Sequence, residues 1–317
     1  KIPQENRNYF IKDNLPYPIY ILFIFFKLIM MKKNKDTVVY LRYKIKLFLL
    51  FPLIKLIFWR TPVIIEVNSI LSQTSYLFKF LEWLAFCNSD CILCVSEDVR
   101  KYLNELPGLK RNILIVENGV SKKFIPNKLN KQIIKKMNIG YFGVLKPNYG
   151  IEELIKSLRN LKEKGYKCSL NIYGNGNYIN ELKALAISEN LHESECIFHG
   201  NIPRYQVPKI MQCQDVLVYT QTTQNNFGSP TKIVEYFLSS RPIIATQTPF
   251  TKKLLQNDLY SKLVPAESVN SLSNAIESFI SKKSISSIEI NQIRMKNFSD
   301  LLWKTKMNQL FDHMKAQ

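Results

Sequence analysis

Glycine is scarce in this sequence: 10 residues of 317, and none before Gly108. The first third therefore holds no glycine-rich phosphate loop. No G-x-x-x-x-G-K-[ST] occurs, which excludes a P-loop, and no G-x-S-x-G, which excludes a hydrolase elbow. Gly174-Asn175-Gly176 opens like a dinucleotide fingerprint, but its third glycine would fall at Ile179. No acidic ribose ligand is evident on a following strand, so an oxidoreductase is disfavoured. Histidine is also rare (His192, His199 and His313), too sparse for a zinc set. The 6 cysteines are scattered; Cys91 and Cys94 have metal-like spacing but no second pair follows. They fall in an apparent strand, where residues three apart face opposite sides, so they read as buried thiols of a reducing cytosol.

Acidic residues are few as well: 25 Asp and Glu against 44 Lys and Arg, a net charge of +19. Residues 1–60 alone hold 12 Lys and Arg against 3 Asp and Glu. A long apolar run is missing too. The run at 19–31 is short and contains Lys27, and that at 44–59 is broken by Pro52 and Lys55; a membrane span needs about 20 apolar residues. Basic residues around apolar helical faces fit an anionic membrane surface as a partner. Two core helices with exposed lysines fit equally well. No recognition motif accompanies the charge, so nucleic acid is not expected as a partner. With no signal peptide visible, the expected location is cytoplasmic, peripheral on the inner face of the cell membrane. The chain begins at Lys1 without a methionine, which reads as a fragment or a trimmed chain.

What is present is an alternation of short apolar strands and amphipathic helices. Strands are expected at 37–41, 62–67, 91–96 and 112–116, with helices at 44–58, 75–88 and 97–106. Residues 121–136 are polar and basic without a period and read as a linker. Beyond them come strands at 138–142, 169–173, 196–199, 216–219 and 242–246. Helices are expected from 150, at 178–190, 207–212 and 268–281, and from 290 onward. Such alternation implies parallel βαβ units and doubly wound α/β sheets, with ligands beyond the carboxyl ends of the strands. Four loops fall there: 143–150, 174–177, 200–202 and 227–232.

The last loop opens the stretch FGSPTKIVEYFLSSRPIIAT, Phe227 to Thr246. Ser229 can cap a helix and Pro230 suits its first position. Ile233, Val234, Phe237 and Leu238 then make one apolar face. Lys232 and Glu235, three apart, share a neighbouring face. The free N–H groups of the helix start that Ser229, Pro230 and Thr231 open, together with Lys232, make an anion site, and Glu235 can accept hydrogen bonds from a sugar. Phosphate beside a polyol suggests a nucleotide. A plain N-terminal cap with a solvated Lys–Glu pair fits the same spacing.

The order of the motifs resembles the retaining GT-B glycosyltransferases of the bacterial "group 1" type (glycosyltransferase family 4). The resemblance runs through VVYLRY (Val38–Tyr43), VIIEVNS (Val63–Ser69), DCILCVSEDVRKYL (Asp90–Leu103), VENGVSKKF (Val116–Phe124), NIGYFGVLKPNYGIEELIKSL (Asn138–Leu158), LNIYGNGNY (Leu170–Tyr178), IFHGNI (Ile197–Ile202), DVLVY (Asp215–Tyr219) and SPTKIVEYFLSSRPIIAT (Ser229–Thr246), closing on Trp303. It implies two Rossmann-like domains facing a cleft. These would be residues 1–126 on the acceptor side, truncated at its start, and 127–289 for the nucleotide sugar, with a helix at 290–317 returning to the first. It implies transfer of a sugar, with retention, from a UDP- or GDP-sugar to a saccharide or lipid-linked acceptor, with no cofactor or metal. Glu235 corresponds to the ribose-binding glutamate, and Lys232 lies on the donor side; these two are expected to carry the catalysis. Gly143, Lys146 and Gly174 would face the diphosphate side. Gly200, Asn201 and Ile202 would hold the base through their backbone, and Glu66 and Asn68 would meet the acceptor. The sequence departs from the family loop G-R-L-x-x-x-K-G at Val144 and Tyr149, and Phe227 replaces a frequent glutamate. These departures keep open a second reading, a catalytically degenerate nucleotide-sugar-binding partner of the same fold.

Overall fold

The structure is a computed structural model. It describes residues 38–43, 50–58, 60–68, 76–129, 131–133, 136–223, 230–282, 284–302, 305–306 and 308. The apolar run at 19–31, residues 44–49, Phe227, Ser229 and Trp303 lie outside them. Among the described residues no helix is long and apolar enough to cross a membrane. The chain divides into two compact units, Lys1–Val116 and Glu117–Gln317, so the break falls ahead of the boundary expected after residue 126.

The first unit is a four-stranded parallel sheet in the order β1 (Val39–Arg42), β2 (Val63–Val67), β3 (Cys91–Cys94), β4 (Asn112–Ile115). Helices α1 (Leu50–Ile57), α2 (Tyr76–Cys87) and α3 (Glu97–Asn104) connect the strands. Ile65, Phe86, Ile92 and Leu103 form its fully enclosed core. Burying each such side chain contributes about 1.5–3 kcal/mol. Within this core sits one carboxylate, Glu82, which accepts the Tyr43 hydroxyl at 3.0 Å and the Tyr102 hydroxyl at 2.9 Å. Those two bonds join α2 to the end of β1 and to α3. Burial first, and then the Glu82 charge, push the Tyr43 hydroxyl far above its ordinary pKa.

In the second unit, β5 (Lys131–Ile133), β6 (Met137–Phe142), β7 (Cys168–Tyr173), β8 (Cys196–Gly200), β9 (Val216–Tyr219), β10 (Ile243–Thr246), β11 (Ser261–Val264) and β12 (Ser284–Ser286) are the strands. Its helices are α4 (Ile151–Glu163), α5 (Ile179–Ser188), α6 (Val207–Gln212), α7 (Thr231–Leu238), α8 (Pro249–Leu255), α9 (Val269–Ile280) and α10 (Ser287–Arg294). Six strands form one parallel sheet, ordered β11-β10-β9-β6-β7-β8. β7, β9 and β10 are buried along their whole length, which is why they read as unbroken apolar runs. α4 buries Ile151, Leu154, Ile155, Leu158 and Leu161, a single helical stripe, against this sheet. Strand order reverses between β6 and β9, and a doubly wound sheet opens its ligand crevice at such a reversal.

Residues 121–136 are more than a linker. Lys122–Phe124 is a 3-10 turn, and Phe124 is buried in the second unit's core. β5 pairs antiparallel with β12, Ser284 opposite Ile133, and Val120 bridges to Leu302. The expected helix from 290 begins at Ser287, ends at Arg294, and passes into 3-10 turns over Met295–Asn297 and Ser299–Leu301.

Candidate functional site

The crevice is built where the loops after β6, β7 and β8 leave the sheet. Backbone bonds lace these loops together. Gly143 N–H donates to the Tyr173 carbonyl at 3.0 Å, Leu145 N–H to Asn175 at 3.1 Å, and Gly174 N–H to Gly200 at 2.8 Å. Gly174 has φ 141°, and a Cβ there would lie 1.8 Å from the Gly143 carbonyl oxygen. Only glycine lets the two loops approach so closely. Gly150, at φ 70°, caps α4 without a side-chain hydrogen bond. A Cβ on it would meet Thr220 Cβ at 2.9 Å, so the β6 loop is pressed against the end of β9. The Thr220 hydroxyl there is buried without a hydrogen-bond partner. An unsatisfied buried hydroxyl is costly and suits a site that receives a polar ligand.

Across the loop after β9, α7 begins at Thr231. Pro230 is its N-cap, at φ −70° and ψ 115°, rather than its first helical residue, and no side chain caps the first turn. The expected cap, Ser229, is outside the described residues. Among the described residues the first-turn N–H groups of α7 find no side-chain acceptor, and such a helix start favours an anion. Lys232 and Glu235 do share a face, but not a solvated one. Glu235 is 0% exposed, and its Oε2 accepts from Lys232 Nζ at 2.9 Å. Its Oε1 accepts from Arg204 Nη2. Arg204 lies in the loop after β8, 31 residues away in sequence. The apolar face also differs from expectation. Tyr236 is fully buried with Ile233, Val234 and Leu238, whereas Phe237 is only partly buried. The Tyr236 hydroxyl accepts the Phe142 N–H at 2.9 Å, which fixes α7 to the end of β6. Burial holds this hydroxyl well above its ordinary pKa, so it stays protonated.

The remaining expected residues are placed as follows. Lys146 is exposed in the β6 loop. Val144 is 49% exposed, while Tyr149 packs its ring against the core. Gly200 ends β8; Asn201 is exposed, and Ile202 packs partly against the core. Beneath the loops, the Phe142, Tyr173 and His199 rings stack at 4.5 Å and 4.2 Å. In the first unit, Glu66 in β2 accepts the Tyr40 hydroxyl and lies 3.8 Å from Arg42 Nε. Asn68 follows β2, and both polar atoms of its side chain are buried without partners among the described residues. Arg204, Thr220 and Tyr236 were not visible as site residues in the sequence. Arg204 and Thr220 belong to no local spacing that marks them and are brought in by the fold of the parallel sheet; Tyr236 lies beside Glu235 on α7 but reads there as part of the buried stripe.

A protein-family model described as glycosyl transferases group 1 matches residues 122–295. The chain is 25% identical over 226 residues to an uncharacterized glycosyltransferase of Methanocaldococcus jannaschii, covering 71% of this chain and 58% of that protein. It is 21% identical over 211 residues to a putative teichuronic acid biosynthesis glycosyltransferase of Bacillus subtilis, covering 64% and 51%. The chain thus spans little more than half the length of these relatives. Among solved structures it is similar to Anabaena HepE in complex with UDP and glucose, with a TM-score of 0.76 and 15% identity, covering 96% of this chain and 85% of that one. It is also similar to sucrose-phosphate synthase from Thermosynechococcus elongatus, with a TM-score of 0.69 and 15% identity, covering 95% and 78%. Identities this low speak to the fold alone, and that fold is GT-B.

Proposed function

The chain belongs to the group 1 glycosyl transferases, and from that membership we propose that it transfers a sugar, with retention, from a UDP- or GDP-sugar to a saccharide or lipid-linked acceptor. Synthesis of a cell-surface polysaccharide or glycolipid is the setting this reading favours. The observation that carries it is Glu235: a fully buried carboxylate in the first turns of α7, with Lys232 at 2.9 Å. A buried carboxylate is costly unless it is paired and hydrogen-bonded. Glu235 retains lone pairs beyond those used by its two cations, which a ribose diol would take up. When the bond from the sugar to the diphosphate breaks, negative charge develops on the departing phosphate. Lys232, the first-turn N–H groups of α7 and the exposed Lys146 are the groups that would stabilise it. Asn68, with its unsatisfied buried amide, is the group we assign to the acceptor.

The test is a thermal shift against UDP, GDP, ADP and their common sugars, with Glu235→Ala beside the parent. Ligand at about 100 times its Kd adds roughly 2.7 kcal/mol, which is about 5 °C or more in a unit of this size. A shift for one nucleotide, lost in Glu235→Ala, is expected. No shift with any of them, in a sample that melts cooperatively, would sink the reading. Val144 and Tyr149, where the family carries cations, favour a second reading: donor binding without transfer. Release of free nucleotide that depends on an added acceptor would remove it.

A further inference from the structure

Arg204 has no counterpart among the residues expected at this site. Its side chain is 65% exposed, and an arginine so exposed would ordinarily sample many rotamers. Here it is held from two sides. Nη2 donates to Oε1 of Glu235, and the guanidinium carbon lies 5.0 Å from the centroid of the Phe124 ring. Phe124 is itself only 3% exposed, so this backing ring is fixed. One edge of the guanidinium is pinned by a carboxylate and one face is covered by an aromatic ring. The rest of the side chain is largely exposed. Neutralising Glu235 does not require this arrangement, because Lys232 already pairs with its second oxygen. What an exposed planar group, held by a carboxylate and backed by a ring, does offer is a surface for stacking. Nucleobases stack on guanidinium planes as they do on aromatic rings.

We infer that Arg204 is the platform on which the base of the bound nucleotide stacks, and that it contributes to the choice of base. This rests on the nucleotide reading above. The position agrees with it: Arg204 follows Ile202 closely in the loop after β8, and its anchor Glu235 is the group assigned to the ribose. Base face and ribose edge would then be read by two side chains that touch each other. A lysine could not substitute, since its ammonium carries the charge without the plane.

The experiment measures Kd by titration calorimetry for UDP, GDP and ADP with the parent, Arg204→Lys and Arg204→Tyr. Stacking predicts that Arg204→Lys weakens the preferred nucleotide about tenfold and narrows the preference among bases. Arg204→Tyr, which keeps a plane and discards the charge, should stay within about threefold of the parent. The opposite pattern, with lysine retaining affinity and tyrosine losing it, would overturn the inference and make Arg204 a charge partner. Equal affinities in all three proteins would overturn it too. If the parent binds none of the three nucleotides, the nucleotide reading itself falls, and the platform with it. That outcome is distinct from the others because it appears before any variant is compared.

Discussion

Gly174 shows how a single residue decides whether the loops can converge. A methyl group there would collide with the Gly143 carbonyl, 1.8 Å away, in a backbone conformation of φ 141°. Gly174→Ala is expected to cost more than about 2 kcal/mol and to reduce nucleotide affinity together with stability. Gly165→Ala is the control. Its φ is 81° but nothing lies within 4 Å of its Cβ position, so only backbone strain of about 1 kcal/mol applies. Urea denaturation of the two variants checks the contrast. His199 makes a second prediction at this scale. Its Nε2 lies 2.9 Å from Asn171 Oδ1, and partial desolvation of this otherwise exposed ring lowers its pKa below the ordinary value of 6.5. The unfolded chain therefore takes up the proton first as pH falls. The stability this group contributes is complete above its unfolded pKa and is lost as pH falls through the lower, folded value. The urea midpoint should drop between about pH 7 and pH 5, and His199→Phe should flatten that part of the profile.

Between elements, one buried fastening of the second unit is ionic. Arg294 in α10 pairs with Asp258 at 2.6 Å, and both side chains are nearly inaccessible at 0% and 4%. The same guanidinium donates to the Phe237 carbonyl at 3.1 Å and to that of Arg241 at 2.8 Å, closing the carboxyl end of α7. Arg294→Met would leave Asp258 buried without its counter-charge, at a cost of about 3–5 kcal/mol. Adding Asp258→Leu should recover most of that loss, and chemical denaturation of the single and double variants measures both. This fastening also marks where sequence reading stops. β6, β7, β9 and β10 were legible because strands buried on both faces must be apolar runs. α7 was legible through its turn and its spacing. β5 and β12 were not, because a three-residue antiparallel pair among polar residues has no period to display. α8 also escaped notice, although its capping box of Thr248 and Thr251 is a local signal. Glu235 and Lys232 were found three residues apart on one helix; Arg204 was not, since only the β8 loop brings it to them.

At the scale of the whole molecule, two units hold separate cores. Every group assigned to the nucleotide lies in Glu117–Gln317, and a ligand stabilises the part that binds it. Scanning calorimetry with the preferred nucleotide is expected to raise the transition of that unit and leave the transition of Lys1–Val116 in place. A single transition that moves as one would show instead that the units unfold together. The net charge of +19 is a property of this scale too, one that disfavours self-association and draws the molecule toward anionic surfaces.

The pairing of β5 with β12 and of Val120 with Leu302 brings the start of the second unit beside Leu302. A segment whose ends meet can be cut out and spliced into a foreign polypeptide without stretching either joint. Residues 117–302 therefore have the geometry of a transplantable cassette. Joining their ends with a short flexible linker and opening new termini near the exposed Gly165 turn should yield a circular permutant that still folds.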